Sequence, residues 1–257
     1  MTQISASFSK TIKEFLRERP VLFWTIAWPM IWVLIGSFRF VGSVPKEVVP
    51  FIRGSITISM MVFAIMIAGM ANLTSSIASD RENGLLSKLM SMPISPWRDF
   101  AGRILAFVAF SALASVLVTA VGFAVGARFP ATSMEVLQAV GFILLVICAA
   151  AGIGLIIGTF IKRLQGAIMT GVGVSVVTAS LSGVFAPYSA LPSALQQFAR
   201  IFPISSASSS VIYSLFDETI AGYNPLTASQ ISTTVSLSLF LIILGTVLYS
   251  RFGWRAD

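Results

Sequence analysis

Histidine is absent from the 257 residues, and cysteine occurs once, at Cys148. The first absence removes the commonest metal ligand and the usual proton shuttle near neutral pH. The second excludes an intrachain disulfide and any cysteine cluster for metal. Charge is scarce as well, with Asp, Glu, Lys and Arg together making up 11% of the chain. No G-x-x-x-x-G-K-[ST] phosphate loop occurs, so the chain lacks that route to ATP. Paired carboxylates are equally hard to find. Asp217 and Glu218 are adjacent, and as helical neighbours they would diverge by about 100°. A solvated turn suits them better than acid/base work, and no catalytic site, metal or cofactor is expected in this chain.

What the chain has is apolar length. Hydrophobic residues fill 56% of positions and the mean hydropathy is +0.90. A bilayer core of about 30 Å takes roughly 20 apolar helical residues per crossing. Six uncharged runs reach that length, near 21–38, 54–78, 104–127, 136–160, 164–186 and 230–250. The expected fold is therefore all-α, a polytopic membrane protein with six transmembrane helices. The first run is the shortest and contains Pro29, tolerable where neighbouring helices satisfy the freed carbonyl. It lacks a small-residue cleavage site, which favours a retained span over a cleaved signal. The segment 187–229 is broken by Pro187, Pro192, Pro203 and Pro225 and crowded with serine, too polar for a seventh span. Leu191, Leu195, Phe198 and Phe202 within it predict a short interfacial or re-entrant helix.

The net charge of +7 does not form one basic face. Lys and Arg fall in the connections, where they set topology rather than bind nucleic acid. With the N-terminus inside, twelve of the seventeen lie on the inner side and five on the outer. Both termini are thus expected in the cytoplasm. Before the first span, Ile4, Phe8, Ile12 and Phe15 recur at helical spacing, with Lys10, Lys13, Glu14 and Arg17 elsewhere around the helix. Residues 1–20 read as an amphipathic helix lying in the inner interface. Asn72-Leu73-Thr74 matches a glycosylation sequon but falls near the inner end of the second span, where it has no use.

Inside the six runs there is no Asp, Glu, Lys or Arg. A proton-driven carrier commonly needs an intramembrane carboxylate or histidine, and a voltage sensor needs arginines. An ion-coupled secondary carrier or channel is the weaker reading for that reason, although hydroxyls and backbone carbonyls could still hold sodium. A scaffold that transports nothing is a third. Gly122 and Gly126, Gly154 and Gly158, and Gly166, Gly171 and Gly173 predict close helix packing. Trp24, Trp28 and Trp32 on the first span, with Met60, Met61, Met66 and Met70 on the second, suit interface anchoring and gap-filling, or an apolar path.

Charge is concentrated in one place. The loop 79–103, flanked by uncharged runs of 26 and 24 residues, carries Asp80, Arg81, Glu82, Lys88, Arg98, Asp99 and Arg103. Ser79 to Glu82 reads as a capping box opening a short helix. Leu85, Leu86, Leu89 and Met90 give that helix an apolar side, and Pro93 ends it. Two to six residues would suffice to link two spans, so the extra length suggests a docking surface.

This stretch resembles the signature of permeases of type 2 ABC exporters: Glu82, then Gly84, a Leu-rich short helix over Leu85 to Met90, Pro93, and the pair Gly102-Arg103. Arg103 stands where Lys is common in that family, and Pro96 where a polar or basic residue is more usual. The resemblance spans the chain and implies a single permease domain over 1–257, with 1–20 a cytoplasmic helix, 79–103 a coupling loop and 187–229 an outer segment. It further implies two separate ATPase subunits that bind ATP and Mg, a second permease copy or close paralogue, and residence in a plasma or bacterial inner membrane. Export of a drug, lipid or lipid-linked glycan follows as the expected activity. The residues it assigns to ATPase coupling are Glu82, Gly84, Leu85, Leu86, Leu89 and Pro93. Beside them stand Phe8, Ile12, Phe15 and Arg17 of the N-terminal helix.

Overall fold

The computed structural model describes residues 3–39, 45–85 and 96–253. Helix α1 is Gln3–Arg17. Six longer helices follow that are apolar enough to cross a membrane: α2 Arg19–Arg39, α3 Val49–Glu82, α4 Trp97–Ala124, α5 Ser133–Phe160, α6 Leu164–Leu181 and, last in the chain, α9 Ala228–Gly253. Between α6 and α9 lie α7 Ser193–Ile201 and α8 Pro203–Phe216, followed by a single helical turn at Glu218–Ala221. No strand occurs among the described residues, so the chain is an all-α polytopic membrane protein.

Helix α3 is the centre of the bundle, with 94% of its apolar stretch buried against 17–39% for the other five spans. Apolar side chains on those five face outward, among them Val116, Leu137, Met169, Phe240 and Ile243. In water such a surface would be untenable, and lipid is its natural solvent. At 34 residues, α3 is about 51 Å long at 1.5 Å per residue and outruns a bilayer core at its ends.

Three helices widen locally into π turns, α2 at Phe23–Ala27, α3 at Ala68–Leu73 and α9 at its end, Tyr249–Gly253; the first two concern the core. The first immediately precedes Trp28-Pro29, where the proline ring would otherwise crowd the carbonyl four residues back. The first two widened turns meet, and Asn72 Nδ2 donates to Thr25 Oγ1 at 2.9 Å. Asn72 is fully buried, in keeping with its sequon having no use. The turn in α3 also lets two more helices approach. A Cβ on Gly154 of α5 would overlap the Gly69 carbonyl, and one on Gly171 of α6 would overlap that of Met70. Gly173 faces open space, and Gly126 ends α4 with φ +91° instead of packing.

The amphipathic reading of α1 holds, but its buried face is turned. Ser7, Thr11 and Phe15 are buried, whereas Ile4, Phe8 and Ile12 are half-buried flanks and Arg17 is exposed. Small side chains hold the seam because α1 lies directly on α4. A Cβ on Gly102 would come within 2.6 Å of Ser7 Cβ. The segment 187–229 also differs from a single short helix. Its serines form α8, which packs against α5, α3 and α9. At 14 residues, about 21 Å, α8 is too short to span.

Candidate functional site

The second and third spans run further than the uncharged runs suggest, carrying Asp80, Asp99 and Arg103 into helices and into the interior. The sequence reading missed these charges by ending one span at 78 and starting the next at 104. Arg103 is 1% exposed, and each of its three guanidinium nitrogens donates a hydrogen bond. Nε donates to Asp99 Oδ2 at 2.8 Å, Nη1 to Ser76 Oγ at 3.0 Å, and Nη2 to Asp80 Oδ2. Lys10 of α1 reaches the other oxygen of Asp80 and pairs with Glu14 at 3.3 Å. Ser76 in turn donates to Glu14 at 2.8 Å, and Ser7 to Asp99 Oδ1 at 2.8 Å. Buried charges persist only when paired and hydrogen-bonded throughout. Here that condition joins α1, α3 and α4 in one network.

The signal for this network was present. Asp99 and Arg103 stand at i, i+4 on one helical face, and Asp80 ends a long uncharged run. Fork geometry explains the arginine. Three nitrogens serve three partners, which a lysine ammonium on one stem could not match in direction.

Asp80, Arg81 and Glu82 occupy the last turn of α3 and point about 100° apart. Asp80 takes α1 and α4. Arg81 donates Nη1 to the Thr159 carbonyl at 3.1 Å and Nη2 to that of Gly253 at 3.3 Å, at the C-terminal ends of α5 and α9. Glu82 Oε2 accepts the Leu164 amide at 2.8 Å, at the start of α6. Cation at helix C-termini and anion at an N-terminus both follow the helix dipole and its unsatisfied groups. One turn of α3 thus clasps five other helices.

The capping box expected at Ser79 to Glu82 is not formed. Helix α3 continues through Ser79 and ends at Asn83 and Gly84. Glu82 caps a helix, but α6 rather than its own. A capping box does form at Thr132 and Glu135, where α5 begins. Gly84 has φ +65°, the left-handed conformation glycine supplies at a helix end, and no atom of the described residues would meet a Cβ there. Leu85 is half-buried. Leu86, Leu89, Met90 and Pro93 lie outside the described residues.

At the opposite end Arg53 donates to the Val125 carbonyl at 2.8 Å and the Ser37 carbonyl at 3.3 Å, closing the ends of α4 and α2. In the segment around α7, Arg200 Nε donates to the Tyr188 hydroxyl at 2.6 Å, and its guanidinium lies over the Tyr223 ring at 5.0 Å. Burial pushes the Tyr223 phenol above its ordinary range. Among the described residues there is no group of three acidic, histidine or cysteine side chains that could hold a metal ion.

A helical membrane bundle with an internal charged clasp and no nucleotide loop has the makings of a transport subunit. Residues 2–216 match the ABC-2 type transporter family, and the chain belongs to it. No curated relative matches the chain. Members are membrane components of ABC transporters, and membership implies association with ABC ATPase partners.

Proposed function

We propose that the chain is the membrane-spanning subunit of an ATP-driven exporter, forming the path for a hydrophobic or amphipathic cargo such as a drug, lipid or lipid-linked glycan. Two ATPase subunits bind ATP and Mg and dock at the end of α3, beyond Glu82, beneath two permease copies in a plasma or bacterial inner membrane. The clasp end and both termini face the cytoplasm, in line with the excess of Lys and Arg there. The observation that carries the reading is the clasp itself. The chain segment that would meet an ATPase continues directly from Asp80, Arg81 and Glu82, which hold α1, α4, α5, α6 and α9. Movement of that segment is passed to the helices together, as a rigid-body displacement, instead of being absorbed by a loose loop. Glu82 and Gly84 are the coupling residues in this scheme. The amide held by Glu82 ties the ATPase-facing turn to α6, and Gly84 sets the angle at which the segment departs.

The test is reconstitution with the partner ATPase, reading transport of a fluorescent phospholipid analogue and of an uncharged dye per ATP hydrolysed. Glu82→Ala and Gly84→Leu are expected to lower that ratio while ATP hydrolysis and thermal stability stay near wild type. A fall in melting temperature with an unchanged ratio in both variants would assign Glu82 and Gly84 to folding alone and overturn their coupling role.

A further inference from the structure

About 30 Å along α3 from the clasp, a cavity of about 370 Å³ opens among α2, the first half of α3, the turn after α6, and α8. Its rim is exposed at Val48, Ser189 and Thr219, and its floor is closed by the buried Met60 and Ser182. One wall is apolar. Trp32 and Phe185 stand with ring centroids 5.7 Å apart, beside Ile52 and Ile56. The facing wall presents the hydroxyls of Ser205, Ser208 and Ser209 of α8, with Ser59 across from α3. Ser205 is committed to the Ser182 carbonyl. The side-chain hydroxyls of Ser59 and Ser208 form no hydrogen bond among the described residues. Among the described residues no Asp, Glu, Lys or Arg lines the space.

Protein interiors leave few voids larger than a water molecule. A cavity of this volume, wide at the rim and polar on one side, falls in the range of small-molecule sites. Its chemistry selects. An ion entering would lose its hydration and find no countercharge. A neutral hydroxyl or carbonyl would find donors and acceptors of its own kind on Ser59 and Ser208, and a ring or chain would find the aromatic wall.

We propose that this cavity is a binding site for an uncharged amphiphile, its apolar body on Trp32 and Phe185 and its polar group on Ser59 and Ser208. That the amphiphile is cargo rests on the exporter reading; binding itself requires no ATPase.

Equilibrium binding of tritiated 2-(2-naphthyl)ethanol to the full chain in nanodiscs, corrected for empty nanodiscs, tests the proposal. Two analogues of the same shape compete, the cationic 2-(2-naphthyl)ethylamine and the anionic 2-naphthylacetate. Saturable binding is expected, with both charged analogues weaker by about a hundredfold or more. Ser59→Leu, which fills the cavity, should abolish it. Ser208→Val keeps the shape and should weaken it by about fivefold, the loss of one hydrogen bond. Phe240→Ala, on the lipid face, should bind as wild type does. Absence of saturable binding, equal competition by the charged analogues, or full binding by a stably folded Ser59→Leu protein would each overturn the site. ATP-driven transport without such binding removes the cavity proposal and leaves the exporter standing. Binding without ATP-driven transport does the reverse.

Discussion

Arg103 shows what a single buried side chain can decide. Removing it leaves Asp80 and Asp99 in the interior with only Lys10 and Ser7 to answer them, a loss of about 3–5 kcal/mol for breaking a buried ion pair from one side. Arg103→Ala should therefore lower the melting temperature of the detergent-solubilised protein markedly. Arg103→Lys should fall between, since it keeps the charge and loses the fork. The combination Arg103→Met, Asp80→Asn, Asp99→Asn should recover part of the loss, because it leaves no uncompensated charge. Thermal unfolding followed by intrinsic fluorescence reads all three, and wild-type stability in Arg103→Ala would contradict the network's role. At this scale the sequence was legible only in part. Glu82 stood out by its setting, yet its partner is an amide 82 positions away, which no local pattern reveals. Ser79 to Glu82 and Thr132 to Glu135 carry the same capping signature. Only the second begins a helix, because tertiary contacts extend α3 through the first.

Among the elements, the seam between α1 and α4 is the most exacting. Gly102 lets the two backbones approach, with Ser7 Cβ and the Ile4 carbonyl where a side chain would go. Gly102→Val should lift α1 away from α4 while leaving the six spans inserted. Limited proteolysis within residues 3–17 should then accelerate severalfold over wild type, and unchanged protection would show that α1 is held elsewhere. The periodicity of Ile4, Phe8, Ile12 and Phe15 placed this helix, but hydrophobicity marks the face that avoids water. The face that packs is the one small enough to meet a glycine, and in lipid these need not coincide. The serines of α8 illustrate the same gap. They read as too polar for a span, yet Ser210 donates to the Ser206 carbonyl and Ser206 pairs with Thr234 of α9 at 2.6 Å, so these two hydroxyls are satisfied inside a buried helix.

For the molecule as a whole, the ends of α3, α5 and α9 meet at Arg81, beside α1 and the starts of α4 and α6, as an even number of crossings requires. The cytoplasmic placement of that end is open to direct labelling. In a Cys148→Ser background, Asn83→Cys should react with a membrane-impermeant maleimide only in opened cells, and Thr132→Cys in intact ones. Labelling of Asn83→Cys from outside would reverse the topology and remove the docking scheme with it.

The number and rough position of the spans followed from the sequence alone, because a bilayer imposes its demand locally: each crossing must be about 20 residues with little charge. Family resemblance was legible too, carried by Glu82, Gly84 and Gly102-Arg103. Where the helices end, which charges are buried, and which hydroxyls face a cavity were settled only by the folded chain. Those properties depend on partners 23 to 172 positions apart. Contact between such groups is a consequence of packing, and beyond the local pair Asp99 and Arg103 it leaves little mark in any single run of residues.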